Sequence, residues 1–184
     1  MNMFTKILIA VLIIIAVPLI MALFIQKEYA IKREIVIDKP SIEVFNYIKY
    51  LKNQDQYNKW VQMDPNMKKD FRGTDGTVGF VYAWDGNDKA GKGEQEIKKI
   101  TEGKRIDLEL RFKKPMESTA SSYMATETVS PTQTRVKWQM AGNSRYPMNL
   151  MHLFMDKLLG TDLQTSLGML KDNLENKQLS KNAN

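Results

Sequence analysis

The apolar positions of this chain fall into three successive patterns. From Ile7 to Ile25 every side chain is apolar. Between residues 30 and 140, short stretches alternate apolar and polar residues, which is typical of half-buried strands. Beyond Pro147, apolar residues recur every three or four positions, as on one face of a helix. The sequence therefore predicts an apolar helix, a sheet and an amphipathic helix, in that order.

The first apolar run predicts a membrane anchor at residues 7–25, preceded by a short flank at 1–6. A helix of about twenty residues crosses a hydrocarbon core of about 30 Å. Signal peptides have a shorter apolar core, of about 7–15 residues, and a small-x-small cleavage site close behind it. No such site follows this run, so we expect the anchor to be retained. Basic residues lie on both sides, and those after the run also begin the folded domain, so the membrane side stays open.

The middle of the chain predicts one strand, two short helices and then several strands. Pro40 favours the start of the first short helix, because its missing N–H has no partner to lose there. The cleanest alternation lies in Ile106–Phe112, where apolar residues alternate with Asp, Glu and Arg. The predicted strands are 30–37, 78–84, 92–100, 106–112, 118–129 and 136–140, and the predicted short helices are 41–50 and 55–61.

The last pattern predicts one long helix, with Gly160 and Gly168 marking a bend or close packing. Its apolar positions are Met151, Phe154, Met155 and Leu158, continued by Leu159, Leu163, Leu167, Leu170 and Leu174. Short strands joined by short turns imply an antiparallel sheet, and this helix is long and apolar enough to cover one face of it. The predicted fold class is therefore α+β, with a domain at 29–175 and a polar, disordered tail at 176–184.

The composition excludes several kinds of chemistry but does not identify a binding partner. The net charge of +6 is spread along the chain, so no basic block predicts nucleic-acid binding, although a basic surface suits anionic headgroups. The chain has no cysteine and one histidine, which excludes disulfides and thiolate chemistry and gives no metal-binding cluster. The glycines at 73, 76, 79, 91 and 93 do not join a strand to a helix as a nucleotide site requires. We therefore predict no metal and no cofactor.

Four stretches, in this order, resemble the START-like (SRPBCC) superfamily, in its polyketide cyclase/dehydrase-type branch. They are IVIDKPSIEVFNYI (35–48), YNKWVQMDPNMKK (57–69), GFVYAWDGNDKAGKGEQEI (79–97) and MDKLLGTDLQTSLGMLKDNL (155–174). The resemblance implies a helix-grip fold, in which a curved antiparallel sheet wraps around a long C-terminal helix and encloses a cavity. Members commonly bind hydrophobic or amphipathic small molecules there, and some catalyse ring closures or dehydrations. The N-terminal anchor is an addition to the family pattern.

The resemblance directs attention to aromatic, Met and Leu residues as the lining of such a cavity, although each of them also suits an ordinary core. The candidate ligand-binding residues are Phe80, Tyr82, Trp84, Leu110, Phe112, Met124, Trp138, Met140, Met151 and Met155. The candidate acid–base residues are Tyr82, Asp85, Tyr123 and His152. Asp85 also suits a turn, and a lone histidine on a helix is more often structural. Glu94, Glu96, Asp107 and Glu109 are expected to face solvent.

These residues lead to two main hypotheses for the function. The favoured one is a membrane-tethered module that binds a hydrophobic or amphipathic small molecule. The alternative is a cyclase/dehydrase-like enzyme that uses polar cavity residues for acid–base chemistry. A third hypothesis is a structural domain with a filled core and no ligand. The identity of the ligand and the oligomeric state stay open at this point.

Overall fold

The structure, a computed structural model, describes residues 2–181. A seven-stranded sheet, in which every neighbouring pair of strands is antiparallel, is built from residues 28–143. The elements are α1 (Met3–Phe24), β1 (Glu28–Ile37), α2 (Ser41–Ile48), a 3₁₀ helix (Leu51–Gln56), α3 (Lys59–Gln62), β2 (Lys68–Arg72), β3 (Val81–Asp85), β4 (Lys92–Thr101), β5 (Arg105–Lys114), β6 (Ser118–Ser130), β7 (Gln133–Asn143), a second 3₁₀ helix (Met148–Met151) and α4 (His152–Lys181). The strands lie across the sheet in the order β1-β7-β6-β5-β4-β3-β2. The predicted α+β class, with a curved antiparallel sheet and a long C-terminal helix, is confirmed.

The period-two pattern determines which face of the sheet is buried. Strand register places Ile106 opposite Met124, and Met124 opposite Trp138. These three side chains are at most 3% exposed, so they form a buried row across β5, β6 and β7. The residues between them along each strand are less buried and lie on the outer face. We call the buried side the inner face of the sheet.

Two details of the predicted strands need correction. The sequence pattern predicts no strand between residues 61 and 78, but Lys68–Arg72 forms β2, an edge strand paired with β3. Most of β2 is exposed, so it has no alternation of apolar residues to reveal it. The strand predicted from Val78 begins at Val81 instead. Gly79 has φ +88°, a left-handed conformation that interrupts an extended chain.

Helix α4 packs on the inner face through only one part of its predicted apolar set. Leu163, Leu167, Leu170 and Leu174 are at most 5% exposed. Phe154 precedes Leu163 by nine positions, and at about 100° per residue the two lie on opposite sides of the helix. Phe154 and Leu158 are accordingly exposed, so the prediction of one continuous apolar face is wrong. The helix continues to Lys181, past the predicted start of the polar tail, and residues 182–184 lie outside the described residues.

Helix α1 projects from this domain and touches it only near its C-terminal end. Its side chains are largely exposed, and Ala22 is the buried exception among them. The helix contains Pro18 and is long and apolar enough to cross a membrane. The 3₁₀ helix Met148–Met151 packs against it, so the beginning of α4 and the end of α1 lie side by side.

Candidate ligand pocket

A pocket of about 160 Å³ lies between the inner face of the sheet, α3 and α4. The strands contribute inward-facing positions, and the two helices contribute Trp60, Val61 and Leu159. The β3–β4 turn adds Ala90. The full lining is Asn58, Trp60, Val61, Met67, Tyr82, Trp84, Ala90, Gln95, Leu110, Phe112, Ser122, Trp138, Met140 and Leu159. Most of this surface is apolar, which suits a hydrophobic ligand.

The structure brings some of the predicted ligand-binding residues together and separates others. The predicted residues that line the pocket are Tyr82, Trp84, Leu110, Phe112, Trp138 and Met140. Phe80 and Met124 belong to the buried core and do not line it. Met151 is 45% exposed at the junction with α4, and Met155 is partly exposed one turn further along.

Two polar residues of the lining, Gln95 and Ser122, are not among the predicted site residues, although strand periodicity points both inward. Gln95 lies two positions before buried Ile97, and Ser122 lies two positions before buried Met124. Residues two apart on a strand share a face, so both point inward, and they are 7% and 6% exposed. Trp60 and Val61 come from a four-residue helix, which is too short to show a helical period.

The polar residues of the lining take part in two separate sets of hydrogen bonds. Gln95 Nε2 donates to Gln54 Oε1 at 2.9 Å, and Asn58 Nδ2 donates to the same oxygen at 3.0 Å. Ser122 Oγ donates to the carbonyl of Gln139 at 2.8 Å. A side-chain amide has two N–H donors, so both Gln95 and Asn58 retain capacity for a further partner.

All three tryptophans of the chain line the pocket. Trp138 Nε1 donates to Ser122 Oγ at 3.1 Å, and Trp84 Nε1 donates to the carbonyl of Ala90 at 3.2 Å. The rings of Trp60 and Trp138 meet edge to face with centroids 6.4 Å apart. Because two of the indole N–H groups already have partners, these residues offer mainly apolar ring surface to the pocket.

Tyr82 is the one acid–base candidate in the lining, and its hydroxyl is already engaged. The hydroxyl donates to Asp55 Oδ1 at 2.6 Å, and the other oxygen of Asp55 pairs with Lys69 at 2.9 Å. Burial, followed by the bond to Asp55, raises the pKa of Tyr82 far above its ordinary value. The phenol therefore stays protonated at neutral pH and acts as a donor to Asp55, not as a general base.

The other acid–base candidates lie at separate places outside the pocket. Asp85 is exposed and pairs with Lys92 at 2.6 Å, which holds the pKa of the Asp85 carboxyl below its usual value. The Tyr123 hydroxyl donates to Gln139 Oε1 at 3.2 Å, and the Tyr123 ring lies under the Arg105 guanidinium at 3.8 Å on the outer face. These groups do not converge on one reacting position.

His152 lies at the junction between α1 and α4. Its Nδ1 is 2.9 Å from the carbonyl oxygen of Gln26, and its ring meets that of Tyr29 edge to face at 5.1 Å. Both contacts join α4 to the segment that follows α1. The structure thus gives His152 a place in the connection between α1 and the domain, away from the pocket lining.

The strand carboxylates that the sequence places toward solvent are on the outer face. Arg111 binds Glu94 and Glu96, each at 2.8 Å, and also contacts Glu109. The bond from Arg111 lowers the pKa of both Glu94 and Glu96. Within residues 2–181, no group of three or more His, Asp or Glu side chains is placed to hold a metal ion.

The fold has clear counterparts among solved structures. Norcoclaurine synthase from Thalictrum flavum, in complex with dopamine and hydroxybenzaldehyde, is 7% identical with a TM-score of 0.62, covering 81% of this chain and 87% of that chain. The Aha1 dimer from Colwellia psychrerythraea is 19% identical with a TM-score of 0.54, covering 80% and 96%. Ara h 8.0201 is 13% identical with a TM-score of 0.51, covering 78% and 98%. No protein-family model and no curated protein matches the sequence. The chain therefore shares the helix-grip fold of these solved structures.

Proposed function

We propose that this protein is a membrane-tethered START-like domain that binds a small, neutral, hydrophobic or amphipathic molecule in the pocket between the sheet and α4. The observation that carries the proposal is the pocket itself: aromatic and aliphatic side chains surround it, together with a few neutral amide and hydroxyl groups. A core built only for stability would fill such a space, because protein interiors are close-packed.

The volume of the pocket limits the size of the ligand. About 160 Å³ is close to the engineered cavity of about 150 Å³ that holds one benzene molecule. Pockets for drug-sized ligands are larger, about 300–1,000 Å³. We therefore expect a single ring or a short alkyl chain, or the end of a longer molecule. Dopamine and hydroxybenzaldehyde, named with the norcoclaurine synthase structure, are each built on one benzene ring.

The chemistry of the lining favours a neutral ligand. Among the described residues that line the pocket, none carries a charged side chain, and Tyr82 is held as a neutral phenol. Moving an unpaired charge out of water into such a site costs far more than the contacts return. A hydroxyl, carbonyl or amide on the ligand would instead find Gln95 or Asn58, which retain hydrogen-bonding capacity.

Helix α1 supports the membrane part of the proposal. It is a 22-residue apolar helix whose side chains lie almost entirely outside the domain. A buried core helix would instead be covered by neighbouring elements. Embedding α1 in a bilayer removes this apolar surface from water and keeps the pocket close to a reservoir of hydrophobic molecules.

An acid–base enzyme is not proposed, because the candidate residues for it are dispersed. Tyr82 lines the pocket but donates to Asp55, and Asp85, Tyr123 and His152 lie elsewhere. General acid–base catalysis needs a group within hydrogen-bond reach of the reacting atom.

Bromobenzene tests the binding proposal, because its heavy atom quenches tryptophan fluorescence and all three tryptophans line the pocket. The full chain in detergent micelles should show a saturable quenching component. Ala90→Leu places a larger side chain in the pocket and should remove this component. Ala125→Leu makes the same change on the outer face of β6 and should keep it. Quenching that never saturates, or that is equal in the two variants, would refute the proposal.

A further inference from the structure

A group of exposed apolar side chains lies where α4 begins. We call it the apolar patch, and its members are 42–56% exposed: Met148, Met151, Leu153, Phe154 and Leu158. Single exposed apolar residues are ordinary on protein surfaces, but five within the eleven residues 148–158 indicate an interaction site. Phe154 and Leu158 lie on the side of α4 that faces away from the sheet, so their side chains do not pack in the core.

Hydrogen bonds fix the apolar patch beside the last turn of α1. The side-chain amide of Asn149 donates to the carbonyls of Ala22 at 2.7 Å and Ile25 at 2.8 Å. These are carbonyls that the end of a helix leaves without intrahelical partners. His152 approaches the next carbonyl, that of Gln26, at 2.9 Å. Asn149 is only 1% exposed, so this connection is a packed part of the structure.

The position of these bonds sets the depth of the apolar patch relative to a bilayer. Ile25 is the last residue of the apolar run, and Gln26 is the first polar one. If α1 spans the membrane, as the proposed function holds, the Ala22–Gln26 carbonyls lie at the boundary between hydrocarbon and headgroups. The 3₁₀ helix Met148–Met151 and the first turns of α4 are bonded to that boundary.

The residues around the apolar patch suit the same location. Arg145, Tyr146 and Lys157 are all exposed next to it in the sequence. Tyrosine is enriched at membrane interfaces, and Lys and Arg place their charge among headgroups while their stems cover apolar surface. The patch therefore has one aromatic and two basic residues at its border, as interfacial helices do, and the exposed Asp156 carboxylate in the same stretch is paired with Arg33.

We propose that the apolar patch inserts into the interfacial layer of the bilayer that α1 spans, so that the domain is docked on the membrane and not merely tethered to it. This inference rests on the membrane anchor of the proposed function. It also fixes which side of the pocket is nearest the lipid. Leu158 belongs to the patch, and the next residue, Leu159, lines the pocket. The two residues are adjacent along α4 and about 100° apart around it, so the body of this one helix lies between the bilayer and the ligand site.

The chain has no cysteine, so a single cysteine can be introduced and labelled without removing a native one. We would attach a bimane fluorophore to Phe154→Cys and, separately, to Leu158→Cys in the full chain in liposomes. Both positions are exposed, so neither change opens a core cavity. Ile14→Cys reports on the middle of α1. Val129→Cys is the matched control, an exposed apolar residue 45% accessible at the far end of β6.

The control is well separated from the anchor. The start of β6 lies beside the end of β7, and β7 ends beside Glu28, the first residue of β1. Val129 follows Ala120 by nine residues along β6, which is about 30 Å of strand. A membrane at the α1 end of the domain does not reach it.

Quenching by nitroxide-labelled lipid and by aqueous iodide gives the outcome. We expect lipid quenching at positions 14, 154 and 158, with iodide quenching lost there, and the reverse at position 129. Lipid quenching at 14, together with iodide quenching at 154 and 158 equal to that at 129, would overturn the docking inference and leave the anchor intact. Absence of lipid quenching at 14 would refute the anchor and the docking inference together, without bearing on the pocket.

Discussion

Gly160 and Gly168 of α4 have the same helix propensity but different surroundings. We expect the surroundings to decide whether replacement by Ala raises or lowers the free energy of unfolding. Both are interior positions of α4, where Ala is favoured over Gly by about 1 kcal/mol. A Cβ at Gly168 would meet no atom within 4 Å. A Cβ at Gly160 would lie 2.1 Å from Arg33 Nη2, so the guanidinium must move. Gly168→Ala should therefore stabilise the domain, and Gly160→Ala should not.

The difference in stability between the two variants follows from the bonds to Asp156 that Arg33 loses in Gly160→Ala. Its Nη2 donates to the backbone carbonyl of Asp156 at 3.2 Å and pairs with the Asp156 carboxylate at 2.8 Å. The two side chains are 27% and 73% exposed, and a solvent-screened pair of this kind contributes about 0–1 kcal/mol. Losing the pair and the carbonyl bond cancels the propensity gain of about 1 kcal/mol. Gly160→Ala should thus lie at or below wild type in stability.

Denaturant unfolding of the full chain in micelles, followed by tryptophan fluorescence, measures both changes. Gly168→Ala should raise the free energy of unfolding by about 1 kcal/mol. Arg33→Ala provides the control background: with the guanidinium removed, Gly160→Ala should regain its stabilising effect, as a double-mutant cycle would show. Equal stabilisation by both glycine variants in the wild-type background would refute the close contact between Arg33 and α4.

Three further predictions concern the core, the junction and the outer face. Leu167→Ala, at a fully buried position, should lower the free energy of unfolding by about 2–5 kcal/mol. Leu158→Ala, at a 56% exposed position, should change the free energy of unfolding in micelles by less than about 0.5 kcal/mol. Equal losses of stability in Leu167→Ala and Leu158→Ala would contradict the assigned faces of α4. Asn149→Ala removes the partner of two carbonyls in the last turn of α1, and hydrogen-exchange mass spectrometry should show faster exchange at the junction, whereas unchanged protection would count against the connection. The bond from Arg111 lowers the folded-state pKa of Glu94, so this pair stabilises the fold above the unfolded pKa of about 4.3 and stops doing so as the pH falls through the lower folded value. Glu94→Gln should therefore flatten the loss of stability in acid, and an unchanged acid profile would contradict that assignment.

The fold could be predicted because its strands have two chemically different faces. Every second residue is buried over residues 106–110 of β5 and 134–140 of β7, so the alternation of apolar and polar residues is visible in the sequence. β2 could not be found in this way, because it lies at the sheet edge and is mostly exposed. Periodicity alone predicts core positions for Phe154 and Leu158 of α4, because both are apolar at helical spacing. Their exposure follows from how the helix packs on the sheet, which the periodicity does not contain.

The pocket was predictable only in part, for a related physical reason. Hydrophobicity identifies residues that avoid water, and it does not separate a core position such as Met124 from a pocket wall such as Met140. Gln95 and Ser122 are polar but inward-facing, so only strand register places them in the lining. Leu159 lines the pocket because α4 crosses the sheet there, and that crossing depends on contacts distant in the sequence.

Ligand binding in the pocket can be measured by native mass spectrometry of the full chain, released from membrane nanodiscs prepared from its own host. We expect a reproducible adduct of one small neutral molecule that is lost in Ala90→Leu and kept in Ala125→Leu. A protein that carries no adduct, or an adduct that Ala90→Leu leaves in place, would show that the pocket beside α4 does not hold the ligand.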